Sequence, residues 1–272
     1  MPVAAPEPKK PEAPKGPPPP PPEPSGLGFL ATVGVAFTGM QTDLSASNEG
    51  SFSGSACLHL VGSGFSSSGF SYSARLGGLL GGGTAGMESL FSARVFVGSG
   101  ALLTEQSQIF FRVGAEGTTL KNDEIEASTM SIPAAQIGYQ IWANKVGLEL
   151  APRIGLAPRT EYEPGDESLG RRHWRKVGLR AAAGGSALIS IAEVFAIDAG
   201  YTRVLDDEPV DLVDGRACVS INFVALCGIG QYWRSIATLP AGGNAAQIIP
   251  TLYFGGMIGV GETKAGRGDK IF

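Results

Sequence analysis

Residues 28–38 read GFLATVGVAFT. Phe29, Ala31, Val33, Val35 and Phe37 share one parity, and Leu30, Thr32, Gly34, Ala36 and Thr38 the other. Side chains of an extended chain point alternately to opposite faces, so this run is predicted to be a two-faced β-strand. The same alternation returns, broken by turns, as far as Val260. Strands are predicted near 28–40, 51–62, 68–79, 88–99, 107–118, 131–143, 146–157, 174–187, 190–204, 213–223, 226–235 and 248–261. That pattern is all-β, antiparallel and up-and-down, with about twelve strands and ten to fourteen tolerated.

The connections alternate in length. Segments 41–50, 80–87, 119–130, 158–173, 205–212 and 236–247 are long, whereas 63–67, 100–106, Asn144–Lys145, Leu188–Ile189 and Val224–Ala225 are short. Transmembrane barrels sort their turns in this way, short on the periplasmic side and long outside. One face of the runs is apolar throughout. It carries Phe52, Leu58 and Leu60; Phe70, Tyr72 and Leu76; Phe91, Val95 and Val97; and later Phe195, Ile197 and Tyr201. No charge interrupts it, as a surface against lipid requires. Tyr72, Tyr139, Tyr201, Trp174 and Trp233 fall nearer strand ends, where an aromatic girdle is expected.

On these residues the chain resembles bacterial outer-membrane β-barrel proteins as a broad class, over residues 26–262. The resemblance implies a transmembrane barrel among outer-membrane lipid and lipopolysaccharide, with both termini periplasmic. Two features depart from it. A tail, 263–272, follows the last strand, and Pro152 lies inside a strand paired on both sides, which suggests a local bulge.

Composition narrows the function. The chain has 272 residues, and none of its apolar stretches approaches the length a membrane helix needs. A net charge of −4 argues against a general nucleic-acid binder, and three cysteines do not make a disulfide framework. Residues 1–25 hold 12 of the 19 prolines, including Pro17 to Pro22 in sequence. Such a segment cannot bury a core and favours an extended polyproline conformation, roughly 75 Å long at full reach. It is expected to be a disordered spacer, or a tether toward a periplasmic or cell-wall partner. The opening MPVAAPEPKK shows no apolar signal stretch, so a processed or shifted start is expected for an exported barrel.

The opposite parity carries the most specific pattern. Arg75, Arg94, Arg112, Arg153, Arg180 and Arg216 are all predicted to face the lumen at similar depth, with Glu116, Glu149 and Asp198 as lumen acids. Six arginines against three acids leave a positive excess, and rings of arginine mark anion pores. The leading expectation is a passive, porin-like channel for small anionic solutes. The alternative is a non-conducting, anchoring barrel whose arginines pair with the acids and plug the interior, and whose tail contacts a periplasmic or cell-wall partner.

Other candidates are weaker. His59 shares a strand with Ser53 and Ser55, but no orienting acid lies on that strand, so no enzyme is predicted. His173, within Arg171-Arg172-His173-Trp174, reads as a loop end. The acidic loops Asp206-Asp207-Glu208 with Asp211 and Asp214, and Asp123-Glu124 with Glu126, read as solvated rims rather than Ca²⁺ sites, and Gly81–Gly83 as a turn rather than a phosphate loop. No cofactor or metal is expected. Cys218 and Cys227 would lie directly opposite if the turn fell at Asn222–Phe223, about two residues from the strand edges above. A disulfide between them is an expectation that leaves Cys57 unpaired.

Overall fold

The period-two runs pair into one sheet that closes on itself. In the computed structural model, twelve antiparallel strands run β1 Leu27–Thr42, β2 Ser51–Phe65, β3 Phe70–Gly83, β4 Gly86–Thr104, β5 Ser107–Lys121, β6 Glu126–Ala143, β7 Val146–Glu163, β8 His173–Ile191, β9 Phe195–Leu205, β10 Val210–Ile221, β11 Val224–Ala237 and β12 Gln247–Lys264. The structure describes residues 27–42, 51–65, 69–84, 86–104, 106–121, 126–143, 145–163, 173–192, 194–206, 210–222, 224–237 and 247–264. The Pro-rich segment 1–25, residues 265–272 of the tail, and Asp123, Glu124, Arg171, Arg172, Asp207 and Glu208 among the loop residues lie outside these. Each strand pairs with its sequence neighbours, and β1 closes the barrel against β12 from Phe29↔Lys264 to Thr42↔Thr251. Closure removes every sheet edge, the condition for backbone polar groups to survive in hydrocarbon.

The seam shows how tightly the wall bends. Gly34 and Gly259 pair across it, and a Cβ on Gly34 would lie 2.2 Å from the Ile258 carbonyl oxygen. A side chain there would run into the opposing backbone, so glycine permits the close approach.

The two faces separate cleanly. Val33, Phe37, Phe52, Leu80, Phe91, Phe111, Ile154, Leu226 and Val260 stand exposed on the outside. Inward-facing positions are buried and mostly polar, mixed with Met40, Leu79, Leu90, Phe96, Phe110, Trp142, Trp233 and Tyr253. The core of this protein is therefore the barrel lumen. No described helix is long and apolar enough to cross a membrane, and the crossing elements are the strands.

Several details differ from the sequence reading. The turn expected at Leu188–Ile189 falls at 192–194, where Ala192 adopts φ 54°, and the one expected at Val224–Ala225 falls at 222–223, where Asn222 adopts φ 57°. The β3–β4 connection is short, at 84–85, because the glycines to Gly83 continue the strand. Trp233 is not in a girdle: it shares inward parity with Cys227 and Gln231, is fully buried, and donates from Nε1 to Gln231 Oε1 at 3.0 Å. Pro152 makes no bulge. It pairs with Gly185 in unbroken register, while on the other side the ladder passes from Gln136↔Arg153 to Tyr139↔Leu150 without a shift. The missing N–H costs pairing locally but not register. The β5–β6 irregularity lies instead between Gly114 and Glu116, opposite the segment that holds the cis Ile132–Pro133 bond.

Candidate functional site

Arginines that face the lumen must find acceptors there, because a charge buried without a partner is costly. Arg75, Arg94, Arg112, Arg153 and Arg216 are all inside, none more than 7% exposed. Water does not reach them freely, so the lumen is filled at this level.

Three arginines and three acids form one alternating chain across the barrel. Arg75 Nε lies 2.9 Å from Asp198 Oδ2, and Arg75 Nη1 also pairs with Asp214. Arg94 Nη2 approaches Asp214 Oδ1 at 3.6 Å and Arg94 Nε donates to Glu116 Oε2 at 3.1 Å. Arg153 Nε donates to the other Glu116 oxygen at 2.7 Å, while its Nη2 reaches the Tyr201 carbonyl and the Thr202 hydroxyl. The order is Asp198–Arg75–Asp214–Arg94–Glu116–Arg153. Gly200 makes room for it: a Cβ there would lie 2.5 Å from Arg94 Nη2 and 2.7 Å from Asp214 Oδ1. Beside Arg75, Arg94, Glu116 and Thr202 the remaining space is about 10 Å³, close to what one water needs.

A second cluster lies nearer the short-turn end. Arg112 Nη1 donates to Glu149 Oε1 at 3.1 Å, its Nε donates to Ser71 Oγ at 2.8 Å, and its guanidinium stands 3.6 Å over the Phe110 ring. Gln140 donates to Glu149 and to Ser63, and Gln108 donates to Gln140. Toward the long-loop end, Glu88 Oε1 accepts from Thr38 Oγ1 at 2.9 Å and from the Tyr253 hydroxyl at 2.8 Å.

These positions revise the charge count. Asp214 is not in an acidic loop: it shares inward parity with Arg216 on β10 and is 5% exposed. Glu88 is a further buried lumen acid. Five buried lumen arginines thus face five buried lumen acids, Glu88, Glu116, Glu149, Asp198 and Asp214. The positive excess that favoured an anion filter is gone. Arg180 is not in the belt either. Because the β8–β9 turn lies beyond Ile191, Arg180 is higher on its strand than expected, and its side chain is 39% exposed with Asp206 Oδ1 at 3.2 Å from Nε. Asp211, another residue read as loop, belongs to β10 and accepts from the Tyr201 hydroxyl at 2.8 Å. The strand predicted at 213–223 already contains Asp214 at the parity of Arg216, and that parity is the signal that places it in the lumen. Glu88 gave no sequence signal beyond its parity.

Cys218 and Cys227 pair directly in the β10–β11 register and are joined by a disulfide, with Cα atoms 4.0 Å apart. Cys57 is buried with a free thiol. His59 is buried on the lumen face, and neither ring nitrogen has a partner among the described residues, carboxylates included. Among the described residues no three metal-ligating side chains cluster. A concavity of about 810 Å³ lies where Phe37, Phe52 and Phe254 flank Gly54, Gly82 and Gly256, with no charged side chain in its lining.

A closed sheet with an apolar outer face and a polar inner face is the architecture of an outer-membrane β-barrel, which crosses the bilayer with its strands. No protein-family model matches the chain, and no curated protein matches it. Among solved structures it is similar to the NanC porin (10% identity, TM-score 0.38, covering 83% of this chain and 100% of that one). It is also similar to the TodX monoaromatic hydrocarbon channel deltaS2 mutant (10% identity, TM-score 0.37, 89% and 91%). A third is the translocator domain of the autotransporter NalP from Neisseria meningitidis (14% identity, TM-score 0.38, 87% and 88%). The likeness is one of architecture.

Proposed function

We propose that this protein is a closed outer-membrane barrel that anchors rather than conducts, with both termini on the periplasmic side and residues 1–25 reaching a periplasmic or cell-wall partner. One observation carries this reading: the lumen is filled by a charge-balanced network in which Arg75, Arg94, Arg112 and Arg153 all end on carboxylates. A passive pore needs water where these groups are. The test is conductance of the purified barrel in planar bilayers. Wild type is expected to be silent, and a tail-dependent pull-down from the cell envelope to succeed. Steady open-channel current from wild type overturns the proposal.

A channel for small anionic solutes keeps one observation in its favour. Arg216, unlike the other four, has no hydrogen-bond partner among the described residues. Current biased toward anions and lowered by Arg216→Gln would select that function.

A further inference from the structure

Each strand is hydrogen-bonded to two neighbours, but one seam of the barrel is only half paired. Between β6 and β7 the ladder runs from Ala143↔Val146 to Ala134↔Gly155 and stops. Both strands continue toward the long loops, over 126–133 and 156–163, without pairing to each other. Their other flanks stay paired, β5 with β6 as far as Glu126 and β7 with β8 as far as Glu163. At that end every other ladder comes within a residue of the end of one of its strands.

The sequence accounts for the fork. Four prolines lie in the described strands, and three of them, Pro133, Pro152 and Pro158, are on β6 or β7. Proline has no N–H to give a ladder. The β6–β7 ladder is interrupted at Pro152 and ends at Gly155, short of Pro158. On β6, Ile132 and Pro133 together stand opposite the single Ala115 of β5, so the strand bends there. Gly155 marks the last close approach: a Cβ on it would collide with Ser131 Oγ and lie 2.9 Å from the Pro133 carbonyl oxygen.

Depth decides what such an edge can do. From Val146, the start of β7, to Gly155 the strand rises about 30 Å along its length, or roughly 23 Å in height at a tilt near 40°. The apolar band of a membrane barrel is about 25 Å tall. Unpaired N–H and C=O groups are costly inside that band, and here they begin at its edge, where headgroups and water accept their bonds. Met130, Ile132, Ile154 and Leu156 stand exposed on the outer side, so the fork borders lipid. On the inner side Thr129 and Ser131 are buried, and Thr129 lines the small space beside Glu116 and Thr202.

One side chain holds the fork from within. Arg153 precedes Gly155 at the same inward parity and reaches across β6 to Glu116 on β5 at 2.7 Å, and to Thr202 on β9 at 2.6 Å. A charged pair thus spans the seam where its ladder bonds give out.

We propose that the β6–β7 seam is a lateral gate. Its unladdered halves part and open the long-loop half of the lumen sideways to the adjoining leaflet, and the Arg153–Glu116 pair is the latch. The gate does not depend on conduction along the barrel axis, so it stands or falls separately from the anchoring function.

The test measures distances by electron paramagnetic resonance on the full chain, folded into phosphatidylcholine vesicles and then spin-labelled at Met130→Cys and Leu156→Cys. Cys57 is buried and Cys218 and Cys227 are joined, so the labels report the introduced thiols. The reference pair is Phe91→Cys with Thr119→Cys, direct partners across the fully laddered β4–β5 seam. The reference should give one narrow distance, and the 130/156 pair a broad distribution with a longer component. Arg153→Gln should favour that component about tenfold, as loss of a charge-assisted bond requires. Arg112→Gln should leave it unchanged, because it breaks a like β5–β7 ion pair, Arg112–Glu149, where the ladder is intact. Since Arg153→Gln could fail to fold, wild type supplies a second reading. Its amides that point into the seam over 128–132 and 156–157 should exchange with deuterium faster than those in the β4–β5 ladder. A narrow 130/156 distance matching the reference, equal broadening by Arg153→Gln and Arg112→Gln, or equal exchange in the two seams overturns the gate.

Discussion

The lumen has two walls that treat the same residue type in opposite ways. Along β3, β4, β5, β7, β9 and β10, arginines and carboxylates alternate from Asp198 to Arg153, each charge of that chain meeting its opposite. Along β1, β2 and β12 the inward residues are largely small or hydroxylic, and the arginine near that wall, Arg216, bonds to nothing among the described residues. Both kinds of arginine have inward parity and are buried to the same degree. What separates them is whether closure brings a free carboxylate across the lumen. Arg75 and Asp214 are 139 residues apart in the chain, and only the curvature of the sheet makes them partners.

The largest break in this comparison should come from Glu116→Gln. Glu116 accepts from both Arg94 and Arg153, and removing one member of a buried ionic network costs about 3–5 kcal/mol. The urea midpoint of the folded barrel should fall accordingly, and a loss below about 1 kcal/mol would mean that the chain is solvated. The second effect concerns the β10–β11 hairpin, which lies between the two walls and is held by a covalent bond. Cys218 and Cys227 enclose a short loop, nine residues apart, beside Arg216. Replacing both with alanine is expected to lower stability by about 2–3 kcal/mol on loop entropy relative to the oxidised wild type, and reducing the wild type should lower it by a similar amount.

Arg216→Met sharpens the contrast because its sign should differ. It removes a buried charge that has no hydrogen bond to lose among the described residues, so stability should hold or rise by about 1 kcal/mol, where Arg112→Met must lose several. A large destabilisation by Arg216→Met would show that Asp198 serves Arg216 as well as Arg75. The smallest effect belongs to Arg180→Ala. Its pair with Asp206 is partly exposed at the rim, and such pairs contribute between about 0 and 1 kcal/mol, most of it screened by salt. A salt-insensitive loss larger than that would return Arg180 to the lumen network.

Much of this architecture was legible in the alternation. Period two separates Val33, Val35 and Phe37 from Thr38 and Ala36, and it directs to the interior five of the six belt arginines, which the structure buries. The errors cluster where alternation loses contrast. Ala-, Gly- and Ser-rich stretches such as 181–190 read alike on both faces, so the alternation there suggests a β8–β9 turn several residues before the observed one and a correspondingly deeper Arg180. Asp214 looked like loop because a run of acids precedes it, although its parity matched Arg216. Residue type points Trp233 to a girdle, whereas its parity, shared with Cys227 and Gln231, points inward, and parity decides.

The chain by itself therefore determined the faces, because side-chain direction along a strand is a local property that each residue carries with its neighbours. Partnership was decided by the tertiary structure. Which arginine meets which acid depends on strand register, on the curvature that brings β3 opposite β10, and on turn positions a residue or two from those that composition suggests. A closed barrel turns those non-local facts into charge balance, that balance separates a filled lumen from an open one, and among the described residues it leaves Arg216 as the buried lumen arginine with no hydrogen bond.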